Sequence, residues 1–409
     1  MYQIDEYYLM HKDVKVAKFE MSNIGTDISV KEVYNYEHMP YGTHTSERLL
    51  NEKFTQWKNG RIIPVERPYL MQVYKKTGKS VPEMEILNLG LSMCDCYWFE
   101  PVGKDYKWES INFRDNGFGT EIGRMLINAT TTTPKSIKTP NITLPGECPK
   151  MWSRFNNTNY LIKGCRTYGE KKPEICNDVF ASLLAAKLGI DTSGYYLLHS
   201  GGNVDFCCTP DFVRNSSTDF VTFSQIANDT DTLGKNGILK FIKDNNLQSF
   251  INQLLVIDYL IGNYNRTLDD IGILVDADSM KMIRPAPIFD YEESIDLSLS
   301  DEDMQGVFID NIKEQMKLVT DFSWIDFDTI DSVISDLKRI YCQCGFNKED
   351  TDNIQEYLKS RAIALKKIVP PDQINKKENN AEKRRRQPKT EIKTPDDSPI
   401  RIHITNKDV

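Results

Sequence analysis

The sequence contains no apolar run long enough to cross a bilayer as a helix. Its first stretch, Met1 to Glu20, carries acids early and has no continuous apolar core. It does not read as a secretory signal, and a cytoplasmic location is expected. Histidine is scarce, with 5 in 409 residues. Cysteine is commoner, but Cys94-Asp95-Cys96, Cys207-Cys208 and Cys342-Gln343-Cys344 lack the two-residue gap of zinc knuckles. An odd count of 9 without a signal peptide favours reduced thiols in structural roles. Excess positive charge is also missing. Lys+Arg number 51 against 59 Asp+Glu, a formal net charge of −8, which leaves no general nucleic-acid footprint. No internal repeat is visible. Glycine is thin in one long stretch, where only Gly146 lies between Gly123 and Gly164 and no Gly-rich cradle is visible.

What is present fits a globular chain of two or three packed lobes, with 40% hydrophobic and 10% aromatic residues. The most informative stretch runs from Val256 to Asp290. It begins inside an apolar run, Leu254 to Ile261, which suits a buried helix. Gly262 to Asp270 is too rich in Asn, Asp and Gly to continue it. Ile271, Ile273 and Val275 then alternate like a strand. Asp276 to Asp278 supplies a turn, and a second short strand around Ile283 and Ile288 ends at Phe289-Asp290. Such a hairpin can bring Asn265 and Asp270 close to Asp290, and two acids with an amide suit a hard cation.

This stretch resembles the catalytic segment of HipA-type serine/threonine kinases, which runs roughly N-x-D-R-H-x-x-N-F-G and then A-P-x-F-D. Here it reads Asn263-Tyr264-Asn265-Arg266-Thr267-Leu268-Asp269-Asp270-Ile271-Gly272, then Ala286-Pro287-Ile288-Phe289-Asp290. Three polar positions differ. The catalytic Asp of the family is Asn265, its His is Thr267 and its metal-binding Asn is Asp270, while the last metal-binding Asp is kept as Asp290. The run from Cys94 to Phe118 resembles the segment ahead of the kinase core in a Firmicutes-type branch of the same family. By composition alone its aromatics Trp98, Trp108 and Phe113 read as core, because no basic strip accompanies them.

The resemblance implies an α+β, two-lobed protein-kinase-like fold with a mainly helical C-terminal lobe. The expected division is an accessory β/α region at 1–93, an N-lobe at 94–226, a helical C-lobe at 227–371 and a basic tail at 372–409. Within it, Tyr7 to Glu20 reads as a hairpin that Ile28 to Tyr34 extends, and Ser46 to Lys58 and Pro68 to Thr77 read as helices. Trp152 to Lys163 reads as a hairpin turning near Asn156-Asn157. Tyr160 to Lys163 resembles the strand that presents the ATP lysine, where an ammonium meets phosphate oxygens. On sequence alone Lys163 reads as an edge-strand lysine. Asn177 to Leu188 reads as a strong helix stopped by Gly189. Asp178 stands where a Glu would pair with that lysine. It can do so through water, or it can stabilise the first helical turn. Tyr195 to Cys208 reads as a hairpin through Gly201-Gly202-Asn203, Phe220 to Phe223 as a strand leading to the nucleotide hinge, and Ile238 to Ile261 as mostly helix. Phe308 to Leu318, Ile325 to Arg339 and Thr351 to Val369 read as amphipathic helices. The tail, with Lys383-Arg384-Arg385-Arg386 at its centre, reads as solvated, or else as a basic docking or nucleic-acid arm.

ATP with Mg, or Mn in its place, is the implied cofactor set, with Lys163 and Asp178 at the nucleotide and Asp270 and Asp290 at the metal. Asn265 can orient a hydroxyl but cannot take its proton. Asp269 is a substitute base on paper, and Arg266 balances charge within the loop. The partners expected are a nucleotide and an unidentified protein, with no membrane. An ATP-binding kinase fold with impaired transfer, an active divergent kinase and a protein-binding pseudokinase are the three readings.

Overall fold

The structure, a computed structural model, describes residues 4–128, 133–166, 169–200, 203–229 and 235–374. Residues 129–132, the Gly201-Gly202 turn and all but the first residues of the basic tail lie outside the described residues. The chain divides into two compact units, each made of separated segments. One comprises Met1–Arg166, Pro210–Phe241 and Leu268–Ala286, the other Thr167–Thr209, Ile242–Thr267 and Pro287–Val409.

The strands in chain order are β1 (Ile4–His11), β2 (Val14–Ser22), β3 (Ser29–Val33), β4 (Tyr97–Pro101), β5 (Lys150–Phe155), β6 (Thr158–Lys163), β7 (Tyr196–Ser200), β8 (Asn203–Pro210), β9 (Thr218–Thr222), β10 (Gly272–Asp276) and β11 (Lys281–Pro285). The helices used below are α1 (Glu47–Gly60), α2 (Leu70–Thr77), α3 (Pro173–Lys187), α4 (Gln248–Ile261), α5 (Phe327–Asp336) and α6 (Lys348–Ile368).

In the first unit the sheet order is β3-β2-β1-β4, all antiparallel. Alternation along β4 sorts its aromatics to two faces. Tyr97 and Phe99 join Leu9, Phe19 and the α1 residues Phe54 and Trp57 in one buried cluster. Trp98 joins Trp108, Phe113 and Trp152 in another. Both buried indoles keep their N–H satisfied, Trp98 by the Lys12 carbonyl and Trp108 by that of Ser216, each at 2.7 Å. The expected hairpin β5–β6 turns through Asn156 and Asn157, both at positive φ (47° and 63°), as a tight two-residue hairpin requires. A second sheet, β11-β10-β9, carries the hairpin expected around Asp276 to Asp278. Gly272, the glycine of the catalytic-like motif, has a physical reason to be there. A Cβ on it would meet the Val221 carbonyl oxygen at 2.3 Å, where β10 runs beside β9.

In the second unit α4 is apolar almost all round and packs on α6, whose start has a capping box between Asn347 and Asp350. Two local readings are corrected. Phe308 to Leu318 is not one helix but turns ending in a 3-10 segment, Glu314–Leu318. The Asn311 side-chain oxygen accepts the N–H groups of Lys313 and Glu314 at 2.9 and 3.0 Å, a local turn that competes with helical bonding. Helix α3 starts at Pro173, an N1 proline, so the acid of its first turn is Glu174. Asp178 therefore lies too far along to serve that turn's dipole.

Cys96 has partners that linear spacing hid. His11, Cys96 and Asp219, all buried, bring their potential ligand atoms within 4.8 Å of one another. They are tied by hydrogen bonds. His11 Nε2 meets Asp219 Oδ2 at 2.8 Å, the Cys96 N–H donates to Asp219 Oδ1 at 2.7 Å, and His11 Nδ1 faces His38 Nδ1 at 2.8 Å. The two facing ring nitrogens can share one proton but not hold two. Burial, followed by the charge of His11, lowers the His38 pKa against the smaller opposing effects of Asp219, Glu37 and Asp278. Burial pushes the Asp219 carboxyl up, yet His11 and the Cys96 N–H outweigh it and hold its pKa below the ordinary value.

Both shifts mean that the unfolded chain binds more protons than the folded one in acid, so stability rises with pH there. Melting temperature should therefore fall as pH drops below about 6.5, the ordinary histidine value, and fall again below about 4 through Asp219. Thermal melts across that range test this. His38→Gln should flatten the upper part of the slope, and an unchanged slope in that variant would remove His38 as its source.

Candidate functional site

In the second unit the site is built on the end of α4. Gly262 closes the helix in the left-handed conformation (φ 60°), and a Cβ there would lie 2.3 Å from the Tyr357 hydroxyl oxygen. Asp258, in the last turn, receives Arg266 as a two-pronged pair. Nε donates to Oδ2 at 3.0 Å and Nη2 to Oδ1 at 2.9 Å, with both side chains 1% exposed. Asn263 Nδ2 donates to the same carboxylate at 3.2 Å. Arg266 Nη1 also donates to the Phe289 carbonyl, so one arginine ties the loop to the residue before Asp290.

Asp290 has φ 63°, an unusual backbone state for a residue with a side chain. Its neighbours hold it there. The Asp290 N–H donates to the Tyr195 hydroxyl at 3.3 Å and the Tyr291 N–H to Asp178 Oδ1 at 2.8 Å. Asn177 Nδ2 donates to the carbonyls of Glu292 and Ser294 at 3.1 and 2.6 Å, and its own oxygen takes the Tyr341 hydroxyl at 2.7 Å. The Tyr291 ring is fully buried, which raises its hydroxyl pKa strongly, and the hydroxyl lies 2.7 Å from that of Thr192. The result is a rigid turn in which Asp178, Asp290 and Glu292 each offer an oxygen within 4.8 Å of the others. Hard oxygen donors of this kind suit Mg or Ca rather than a soft metal.

Asn265 is exposed, and its Nδ2 donates to the Glu293 carboxylate. The backbone sets that meeting. The Tyr264 N–H donates to the Glu293 carbonyl at 3.1 Å, and the Ile295 N–H to the Ile261 carbonyl at 2.9 Å, so the two segments run side by side.

The first unit holds the other expected residues. Lys163 ends β6 opposite Lys150 and is 3% exposed, which removes the solvent-facing edge reading. Asp269 and Asp270 close a 3-10 turn, Leu268–Asp270, before β10. Asp269 is exposed and its Oδ1 accepts the Thr222 hydroxyl at 3.3 Å, while Asp270 is half-buried.

Sequence reasoning missed Asp258, Glu292 and Glu293. Asp258 was hidden in an apolar run, where a lone acid eight residues before an arginine is a usable signal. The two glutamates come just after Asp290, beyond Tyr291, and match no part of the motif.

No family model and no curated protein matches the chain. Solved structures similar to the chain include the following two. The Helicobacter pylori proinflammatory kinase CtkA aligns over 53% of this chain and 95% of its own at 18% identity, with a TM-score of 0.37. HipA from the HipA, HipB and operator DNA toxin–antitoxin complex of Shewanella oneidensis MR-1 aligns over 88% of this chain and 96% of its own, at 12% identity and a TM-score of 0.51. The second likeness decides the architecture. The chain has a HipA-like, two-lobed kinase fold. At 12% identity this likeness concerns the fold alone. The HipA-like fold here contains no helix, among the described residues, that is long and apolar enough to cross a membrane.

Proposed function

We propose that the protein binds ATP with Mg, or Mn in its place, and transfers the terminal phosphoryl group to protein Ser/Thr hydroxyls only slowly. The observation that carries this reading is Asp290, held at φ 63° within 4.8 Å of Asp178 and Glu292 on a HipA-like fold. Backbone strain of this kind persists where the surroundings enforce it and concentrates at functional sites. Asp290 would hold the cation, which neutralises phosphate charge when bound, and the hard donor set around it fits that role; Asp270 is a metal candidate through the resemblance of its motif alone. Lys163, a buried ammonium at a strand end, meets phosphate oxygens. Asp178 anchors the Asp290 turn through the Tyr291 N–H and so shapes the nucleotide site. Arg266, bound to Asp258, positions the loop. Transfer is slow because Asn265 stands where an acid would accept the hydroxyl proton.

Calorimetry with Mg-ATP should show binding that weakens about tenfold or more, ~1.4 kcal/mol, in Lys163→Ala and in Asp290→Ala. Absence of any nucleotide binding with Mg or Mn would sink this reading and favour a protein-binding pseudokinase. Robust transfer abolished by Asp269→Ala would instead point to an active kinase with Asp269 as its base.

A further inference from the structure

The amide at the proton-accepting position is not alone. The Asn265 side chain donates to the carboxylate of Glu293, and the backbone bonds on either side, Tyr264 to Glu293 and Ile295 to Ile261, keep the two residues together. The 292–294 segment is itself pinned by Asn177, and the loop by the Arg266–Asp258 pair, so both halves of the contact rest on buried supports. A hydroxyl oriented by the Asn265 amide would lie within reach of the Glu293 carboxylate, which can take a proton where the amide cannot.

We infer that Glu293 is the general base of this site, with Asn265 orienting the nucleophile. The inference rests on the nucleotide-binding reading above. In the reaction a hydroxyl oxygen of a serine, a threonine or water attacks the terminal phosphorus of ATP. The new phosphorus–oxygen bond forms as the bond to the bridging oxygen breaks, and ADP leaves with that electron pair. The hydroxyl proton passes to a Glu293 carboxylate oxygen and from there to solvent. No oxidant or further reactant is required. The base reaches in from the chain after Asp290 rather than from the loop itself, and this longer side chain gives slower transfer than an Asp at 265 would.

The test uses the full chain with labelled ATP and Mg, and follows autophosphorylation, transfer to casein and release of inorganic phosphate. Glu293→Gln keeps the shape and a hydrogen-bonding partner for Asn265 but cannot accept a proton. It should lower kcat about 100-fold with KM for ATP and melting temperature unchanged. Glu293→Asp should recover part of that loss. A role confined to holding Asn265 in place would leave the Gln variant close to wild type. Wild-type rates in Glu293→Gln, or a wild type that binds nucleotide without any turnover, would overturn the assignment while leaving nucleotide binding intact. A wild type that binds no nucleotide would overturn the underlying reading instead.

Discussion

Asp258→Ala should cost about 3–5 kcal/mol of stability. The carboxylate is buried in the last turn of α4 and receives Arg266 through two nitrogens and Asn263 through a third. Its removal takes the carboxylate away from a guanidinium that is 1% exposed and that also meets the Phe289 carbonyl and the Tyr291 ring. The cost lies mainly in leaving that buried charge without its counter-charge rather than in lost attraction. The paired change Asp258→Leu with Arg266→Met removes both charges and should be much milder in urea denaturation. Nucleotide binding is expected to suffer in the pair all the same, because Arg266 ties the loop to the residue before Asp290. Equal losses of stability in the single and the paired variant would show that the ion pair is not what the site rests on.

Exchanging the amide and the acid, Asn265→Asp with Glu293→Gln, should raise phosphoryl transfer over wild type by about tenfold or more. The exchange keeps the charge of the pair and its hydrogen bond, with donor and acceptor reversed. It moves the base onto the loop that Arg266 and Asp258 hold rigid, which shortens the side chain carrying it and improves its aim. Asn265→Asp alone should do less, because two carboxylates in contact cannot both ionise easily and one would hold a proton. Single-turnover rates of the three variants order these outcomes. A double variant slower than Asn265→Asp alone would argue that Glu293 contributes something other than its charge.

Local patterns were legible where one element decides its own shape. The hairpin of β1 and β2, the Asn156-Asn157 turn and helix α4 each follow from alternation, turn chemistry or apolar continuity within a short window. The segment at 308–318 was misread because its apolar spacing suits a helix while the Asn311 side chain bonds the backbone into a turn. Helix α3 was expected to begin at Asn177 but begins at Pro173, four residues earlier, and the Asn177 side chain reaches the segment after Asp290.

The sequence by itself supplied the kinase-like order of the motif, Asn265 where the resemblance implies an acid, and Lys163, Asp270 and Asp290 as candidates. Those are properties of residue identity and register along the chain. Only the tertiary structure decided which carboxylates stand together. Asp258 meets Arg266, Asp178 meets the turn at Asp290, Glu293 meets Asn265 and Asp219 meets His11 because backbone hydrogen bonds and buried packing bring distant segments to one place. A carboxylate has the same identity in sequence whether it faces water, an arginine or an amide. Its chemistry is set by what the fold puts within about 3 Å of it.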